Sequence, residues 1–176
     1  MVGVGSGDNE AEARLQSLIG GGDLFVAGLD DPSIAGQVKE LLDSHLAEPF
    51  RVLVVDDDRQ MCAYCDAVLS RAGMRVDTTT DAASVADRVR QFKPDLVLMD
   101  LYLSGMDGLT LTAQLRQQAD AVVLPIVFLS GEQSEEARYK AIQVGGDDFL
   151  TKPIRPRHLV AAMRSRIKRV RALGKQ

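Results

Sequence analysis

Two histidines and two cysteines are all that 176 residues contain, and that scarcity removes whole classes of chemistry. Neither His45 nor His158 has neighbours at metal-ligand spacing, so no zinc site is expected. Cys62 and Cys65 form a C-x-x-C pair, which beside a βαβ pattern raises the question of redox chemistry. Redox pairs of that kind sit at a helix start. These two instead lie inside an amphipathic run with Met61, Tyr64, Val68, Leu69 and Ala72 at helical spacing, so helix packing is the expected role. No apolar run approaches the roughly 18–20 residues of a membrane span. The opening residues, Met1 to Asp8, lack a basic region followed by a hydrophobic core; no signal peptide is expected, and a cytoplasmic location is.

What the chain does hold is 45% hydrophobic and 26% charged residues, a globular balance that argues against wholesale disorder. The net charge of −4 hides an asymmetry, because Lys152 to Gln176 carries nine Lys or Arg residues and no acid. Such a stretch suits an anionic partner or a solvated helix leading into another domain. No recognition-helix motif accompanies it, so nucleic acid is not expected as a partner.

From about Phe50 onward, strand and helix patterns alternate. Strands are expected at 51–55, 75–79, 95–99, 122–129 and 148–151, with helices at 59–72, 81–92, 108–118, 134–144 and 156–173. Asp81 is a plausible N-cap, Gly73 and Gly145-Gly146 are helix stops, and Pro156 fits a first helical turn. Five βα units in about 120 residues make a doubly wound five-stranded parallel sheet the natural architecture. Residues 1–49, shifted by 124 positions, lie without gaps on the second half of this domain. Ser6-Gly7 falls on Ser130-Gly131, Glu12-Ala13-Arg14 on Glu136-Ala137-Arg138, Gly21-Gly22-Asp23 on Gly145-Gly146-Asp147, Phe25 on Phe149 and Pro32 on Pro156. The segment reads as the last two βα units of a related domain, with Gly28 where Lys152 would stand.

Four strand ends carry chemistry. The first strand ends in Asp56, Asp57 and Asp58; the third ends in Asp100; the fourth ends in Ser130-Gly131; the fifth ends in Lys152-Pro153. In parallel α/β sheets ligands bind at the carboxyl ends of the strands. Carboxylates, a hydroxyl and an amine together suit Mg²⁺ (or Mn²⁺) and a phosphoryl group. Asp100 is the candidate nucleophile, giving an acyl phosphate. Asp57, Asp100 and the backbone carbonyl of Tyr102 are the expected metal ligands, with Asp56 holding a metal-bound water. Lys152 supplies a compact cation and Ser130 a hydrogen bond to the phosphoryl oxygens.

The segments Val54-Val-Asp-Asp-Asp58, Leu98-Met-Asp-Leu101, Gly105-Met-Asp-Gly108, Phe128-Leu-Ser-Gly131 and Phe149-Leu-Thr-Lys-Pro153 resemble the receiver domain of bacterial two-component response regulators. The resemblance covers about residues 50–170. It implies a flavodoxin-like (βα)5 fold, a sensor histidine kinase or phosphotransfer protein as phosphoryl donor, and slow self-dephosphorylation. By position it makes Asp100 the phosphoacceptor, Asp56 and Asp57 the acid pair, and Lys152 the site lysine. Ser130 and Phe149 become the switch pair, and Lys152-Pro153 an expected cis peptide. It further implies that the chain forms a homodimer when phosphorylated. Two positions depart from the family pattern: Ser104 stands where receivers commonly carry Pro, and Phe149 where the switch residue is commonly Tyr.

The expected organisation is therefore a partial, degenerate receiver-like β-α-β-α segment at 1–49, a receiver at 50–162 and a basic helical connector at 163–176. The connector resembles those leading into diguanylate cyclase domains. An aspartyl-nucleophile phosphohydrolase is the alternative, but it leaves Asp100 unexplained. A flavin carrier would need a phosphate-binding loop where this chain has three acids.

Overall fold

The run Arg51–Val55 has no polar face, and in the computed structural model, which describes residues 48–173, it is an interior strand, β1, with Val52–Val55 buried. Four more strands flank it in parallel: β2 (Arg75–Thr79), β3 (Leu96–Met99), β4 (Ile126–Ser130) and β5 (Asp148–Thr151). Their order is β2-β1-β3-β4-β5. The chain therefore reverses its winding between β1 and β3, and the switch-point rule places a ligand crevice there.

The helices are α1 (Arg59–Arg71), α2 (Val85–Phe92), α3 (Gly108–Arg116), α4 (Glu135–Gln143) and α5 (Pro156–Leu173). Their starts follow local polar signals. Asp58 accepts from the Gln60 amide, Asp107 from Thr110 and Ser134 from Ala137, each occupying one donor that the first helical turn leaves free. The end of α1 is a Schellman motif: Gly73, at φ +81°, donates to Ser70 and Met74 donates to Leu69.

Alternate strand residues build two cores. Leu53, Val55, Val97, Met99, Ile126 and Phe128 meet α2, α3 and α4 on one face. Val52, Val54, Leu96, Leu98, Val127 and Leu129 meet α1 and α5 on the other, through Cys62, Cys65, Leu69, Leu159, Met163 and Ile167. Both cysteines are thus free, buried packing residues. Covering both faces is what makes the inner strands β1, β3 and β4 almost continuously apolar.

Two expectations need correction. The fourth strand begins at Ile126, not at 122. Ala119–Ala121 is a 3-10 turn, and Val123 lies 78% exposed before Pro125. That apolar stretch reads as strand because its turn is fixed by a side chain outside the apolar pattern: the Arg116 guanidinium donates to the carbonyls of Ala121 and Leu124, and also to that of Gly145. The helix expected from Asp81 is split, with Asp81 capping a 3-10 turn, Ala82–Ser84, ahead of α2. Two apolar side chains near the end of α5 face the domain itself. Met163 and Ile167 are fully buried against the chain's own sheet, a burial worth roughly 1.5–3 kcal/mol each. Arg166 pairs with Asp148 at 2.8 Å and Arg171 with Asp95 at 2.7 Å, holding the basic helix onto the domain.

The repeat at 1–49 lies outside the described residues apart from its final two. Among the described residues no helix is long and apolar enough to cross a membrane.

Candidate metal and phosphoryl site

The crevice at the switch point holds the acids. Asp56 follows β1 and is 2% exposed; Asp100 follows β3 and is 9% exposed; Asp57 stands at the mouth. Carboxylate oxygens of all three lie within 4.8 Å of one another. The parallel register brings them together, pairing Val55 with Met99 so that both strands end level, and the Asp100 amide donates to the Val55 carbonyl at 2.8 Å.

Lys152 reaches in from the end of β5. Its Nζ donates to Asp56 Oδ2 at 2.7 Å and to Asp100 Oδ2 at 2.8 Å. Its own position follows from the Lys152 amide bonding to the Ser130 carbonyl at 2.8 Å, and the Lys152-Pro153 peptide is cis, as the resemblance implied. Burial by itself would push the Lys152 ammonium down. The hydrogen bonds and charges of Asp100 and Asp56 outweigh it and hold the group above its ordinary value. Burial pushes the Asp56 carboxyl up, against the opposing pull of Lys152 and the Asp58 amide. Lys152 thus holds together acids that would otherwise repel.

The loop after β3 is a small hairpin, Tyr102–Leu103 pairing with Met106–Asp107 around Ser104-Gly105. Gly105 sits at φ +86°. Gly108 permits the close return: a Cβ there would stand 2.2 Å from the Asp100 carbonyl oxygen. Tyr102 faces the site with its amide, 3.4 Å from Asp100 Oδ1, while its side chain is exposed. Asp58, the third acid of the β1 run, caps α1.

Ser130 is buried at the end of β4, its Oγ accepting from the Glu132 amide at 3.2 Å. Phe149 is 6% exposed, with its ring centroid 6.5 Å from that of Phe128. The ring already lies inside; with no phenolic hydroxyl to solvate, burial is its favourable position.

Two contributors were not found by sequence reasoning. The Cys62 thiol donates to the Asp56 carbonyl at 3.3 Å, buttressing the site from below. The Ser104 hydroxyl donates to Asp57 Oδ2 at 2.6 Å across 47 residues. Neither residue type signals such a contact by spacing.

An all-oxygen set of three clustered carboxylates fits a hard cation such as Mg²⁺, and a lysine beside them fits a phosphoryl group. The phosphohydrolase alternative needs a first-strand acid as nucleophile. Asp56 would be that acid, but Lys152 holds its Oδ2 and the Asp58 amide its Oδ1.

Residues 52–164 match the family model of the response regulator receiver domain. The chain belongs to the response regulator receiver family.

The chain is 38% identical over 119 residues to the DNA-binding response regulator MtrA of Mycolicibacterium paratuberculosis, covering 68% of this chain and 52% of that protein. An uncharacterised 76.5 kDa protein from the phbC 3′ region of Thiocystis violacea is 32% identical over 171 residues, 97% of this chain and 25% of its own length. The chain therefore spans a quarter to about half of these relatives. Among solved structures, a response regulator of Chloroflexus aurantiacus superposes with a TM-score of 0.66 at 29% identity, covering 69% of this chain and 99% of that one. The chemotaxis response regulator CheY4 of Vibrio cholerae superposes at 0.64 with 25% identity, covering 68% of this chain and 99% of that one. The receiver is a signalling module of the two-component type, and the phosphohydrolase reading is not favoured.

Proposed function

We propose that this receiver accepts a phosphoryl group on Asp100 from a phosphohistidine donor, a sensor histidine kinase or a phosphotransfer protein. The observation that carries the reading is the convergence of Asp56, Asp57 and Asp100 around one ammonium, Lys152. In the transfer, a carboxylate oxygen of Asp100 forms a bond to phosphorus while the phosphorus–nitrogen bond of the donor breaks. The electron pair remains on the imidazole nitrogen, and the product is a mixed anhydride. Lys152 is already 2.8 Å from Asp100, so its charge lies where the phosphoryl oxygens arrive. Asp57 and Asp100, with the Tyr102 carbonyl, would hold Mg²⁺ (or Mn²⁺), and Asp56 would act on it through a water. When bound, the ion neutralises charge on the transferring group.

Switching is proposed to start at Ser130. Its hydroxyl accepts from the Glu132 amide and would turn toward the phosphoryl oxygens, loosening the β4–α4 loop. Because Phe149 is already inside, the signal on this reading is the movement of that loop rather than an inward swing of the ring. Tyr139 and Ile142 stand exposed on α4, which supports pairing of phosphorylated copies through the face formed by α4, β5 and α5. Sedimentation with and without beryllofluoride tests that pairing, and an unchanged monomer refutes it.

A cytoplasmic setting accords with the proposed donor. We read 1–49 as a partial receiver-like unit that precedes the receiver at 50–162 in sequence; the Thiocystis relative, matching 97% of the chain, supports that order of segments. The basic stretch from 163 is proposed as the route to an output domain, a diguanylate cyclase being the reading its sequence suggests. Nucleic acid is not among the proposed partners.

The test is labelling with acetyl phosphate and Mg²⁺, followed by peptide mass mapping. Label is expected on Asp100 and absent from Asp100→Asn; label mapping elsewhere refutes the assignment.

A further inference from the structure

The hydrogen bond between Ser104 and Asp57 reaches outside the pattern of the family. Ser104 occupies the tip of the hairpin after β3, and Asp57 the loop after β1. A 2.6 Å separation between a hydroxyl and a carboxylate is the length of a charge-assisted bond. Asp57 is exposed and differs in this from its two neighbours: Asp56 and Asp100 are fixed by burial and by Lys152. Among the described residues Ser104 is the side chain that holds Asp57, and it takes one oxygen, Oδ2. A carboxylate has about four lone-pair positions on two oxygens, so Oδ1 stays available.

We propose that Ser104 is a positioning residue for the metal: its hydroxyl fixes the Asp57 carboxylate in the orientation that receives a divalent cation. The inference rests on the functional reading above, in which Asp57 is a ligand. A carboxylate held before binding loses less rotamer freedom when the ion arrives. Partners that orient ligating carboxylates typically change metal affinity by roughly 10- to 100-fold when removed. Both groups face water here, so a weakening of roughly threefold to tenfold is expected. The same bond ties the hairpin to β1, so ion binding and loop position become one event. A proline at this position has no hydroxyl and offers no such bond.

The experiment compares the full chain with Ser104→Ala and Ser104→Thr. Mn²⁺ binding is measured by water-proton relaxation, with Mg²⁺ as competitor. Ser104→Ala is expected to raise the dissociation constant roughly threefold to tenfold, while Ser104→Thr, which keeps the hydroxyl, restores wild-type affinity. In acetyl phosphate labelling, the Mg²⁺ concentration for half-maximal rate should rise by the same factor with the rate at saturating Mg²⁺ retained. An unchanged urea midpoint is expected, separating positioning from a folding defect. Equal or tighter metal binding by Ser104→Ala overturns the inference, as does failure of Ser104→Thr to restore it. A wild-type chain that binds no divalent ion overturns the functional reading as well, so the two failures are distinguishable.

Discussion

Lys152→Met removes the ammonium and keeps the apolar stem, and its effects should run in opposite directions for stability, metal and chemistry. Lys152 bridges Asp56 at 2.7 Å and Asp100 at 2.8 Å, with side-chain exposures of 18%, 2% and 11% respectively. Removing one partner from a buried ion pair costs about 3–5 kcal/mol, because the other charge is left buried and unpaired. The cluster opens to water at Asp57, so the lower end, about 3 kcal/mol, is expected in EDTA. A divalent ion can take over the neutralising role. Without the competing ammonium the variant should bind Mg²⁺ more tightly, and each tenfold gain in affinity narrows the stability gap by about 1.4 kcal/mol at saturating Mg²⁺. Phosphorylation should nevertheless fall. A hydrogen bond to a charged group contributes about 1.5–3 kcal/mol, so its loss from the phosphoryl oxygens corresponds to roughly a 10- to 100-fold slower transfer. The chain has no tryptophan, so urea unfolding is followed by far-UV circular dichroism, in EDTA and in Mg²⁺, with acetyl phosphate labelling alongside. A variant as stable as wild type in EDTA, a gap that widens in Mg²⁺, or unimpaired labelling would each refute this reasoning.

Neighbouring acids should separate cleanly. Asp57→Ala is expected to weaken Mn²⁺ binding with little change in stability, whereas Asp58→Ala should cost about 1 kcal/mol through loss of the α1 cap and leave metal affinity intact; equal metal loss from both would contradict the geometry. The buried Cys65 thiol gives a pH prediction. Burial, reinforced by the charge of Asp56, pushes it from an ordinary value near 9 up to about 12. The folded chain therefore keeps a proton that the unfolded chain releases, so this group's contribution is complete below about pH 9 and is lost as pH rises toward 12. Iodoacetamide at pH 8 should modify Cys65 slowly in the fold and fully in denaturant, as counted by mass; equal rates would show that the thiol is not shielded.

Local signals in the sequence determined much of this protein. Apolar runs placed β1 and β3, the alternation of strand and helix patterns placed the short β2 and β5, and Gly73, Ser134, Gly145 and Pro156 bounded helices, because caps and left-handed stops act within a few residues. The candidate site was legible for a related reason. In a parallel sheet every strand delivers its last residue to the same edge, so Asp56, Asp100, Ser130 and Lys152 converge once the strands are known. Tertiary structure decided what depends on groups distant in the chain. Arg116, itself held by the Gly145 carbonyl 29 positions on, turned the apolar stretch after Ala121 from strand into a supported turn, and the sheet claimed Met163 and Ile167 from what read as a connector. It alone set the Phe149 ring inside and brought Ser104 onto Asp57. A hydroxyl finds a carboxylate 47 positions away only when two loops meet in space, and periodicity along the chain carries no record of that meeting.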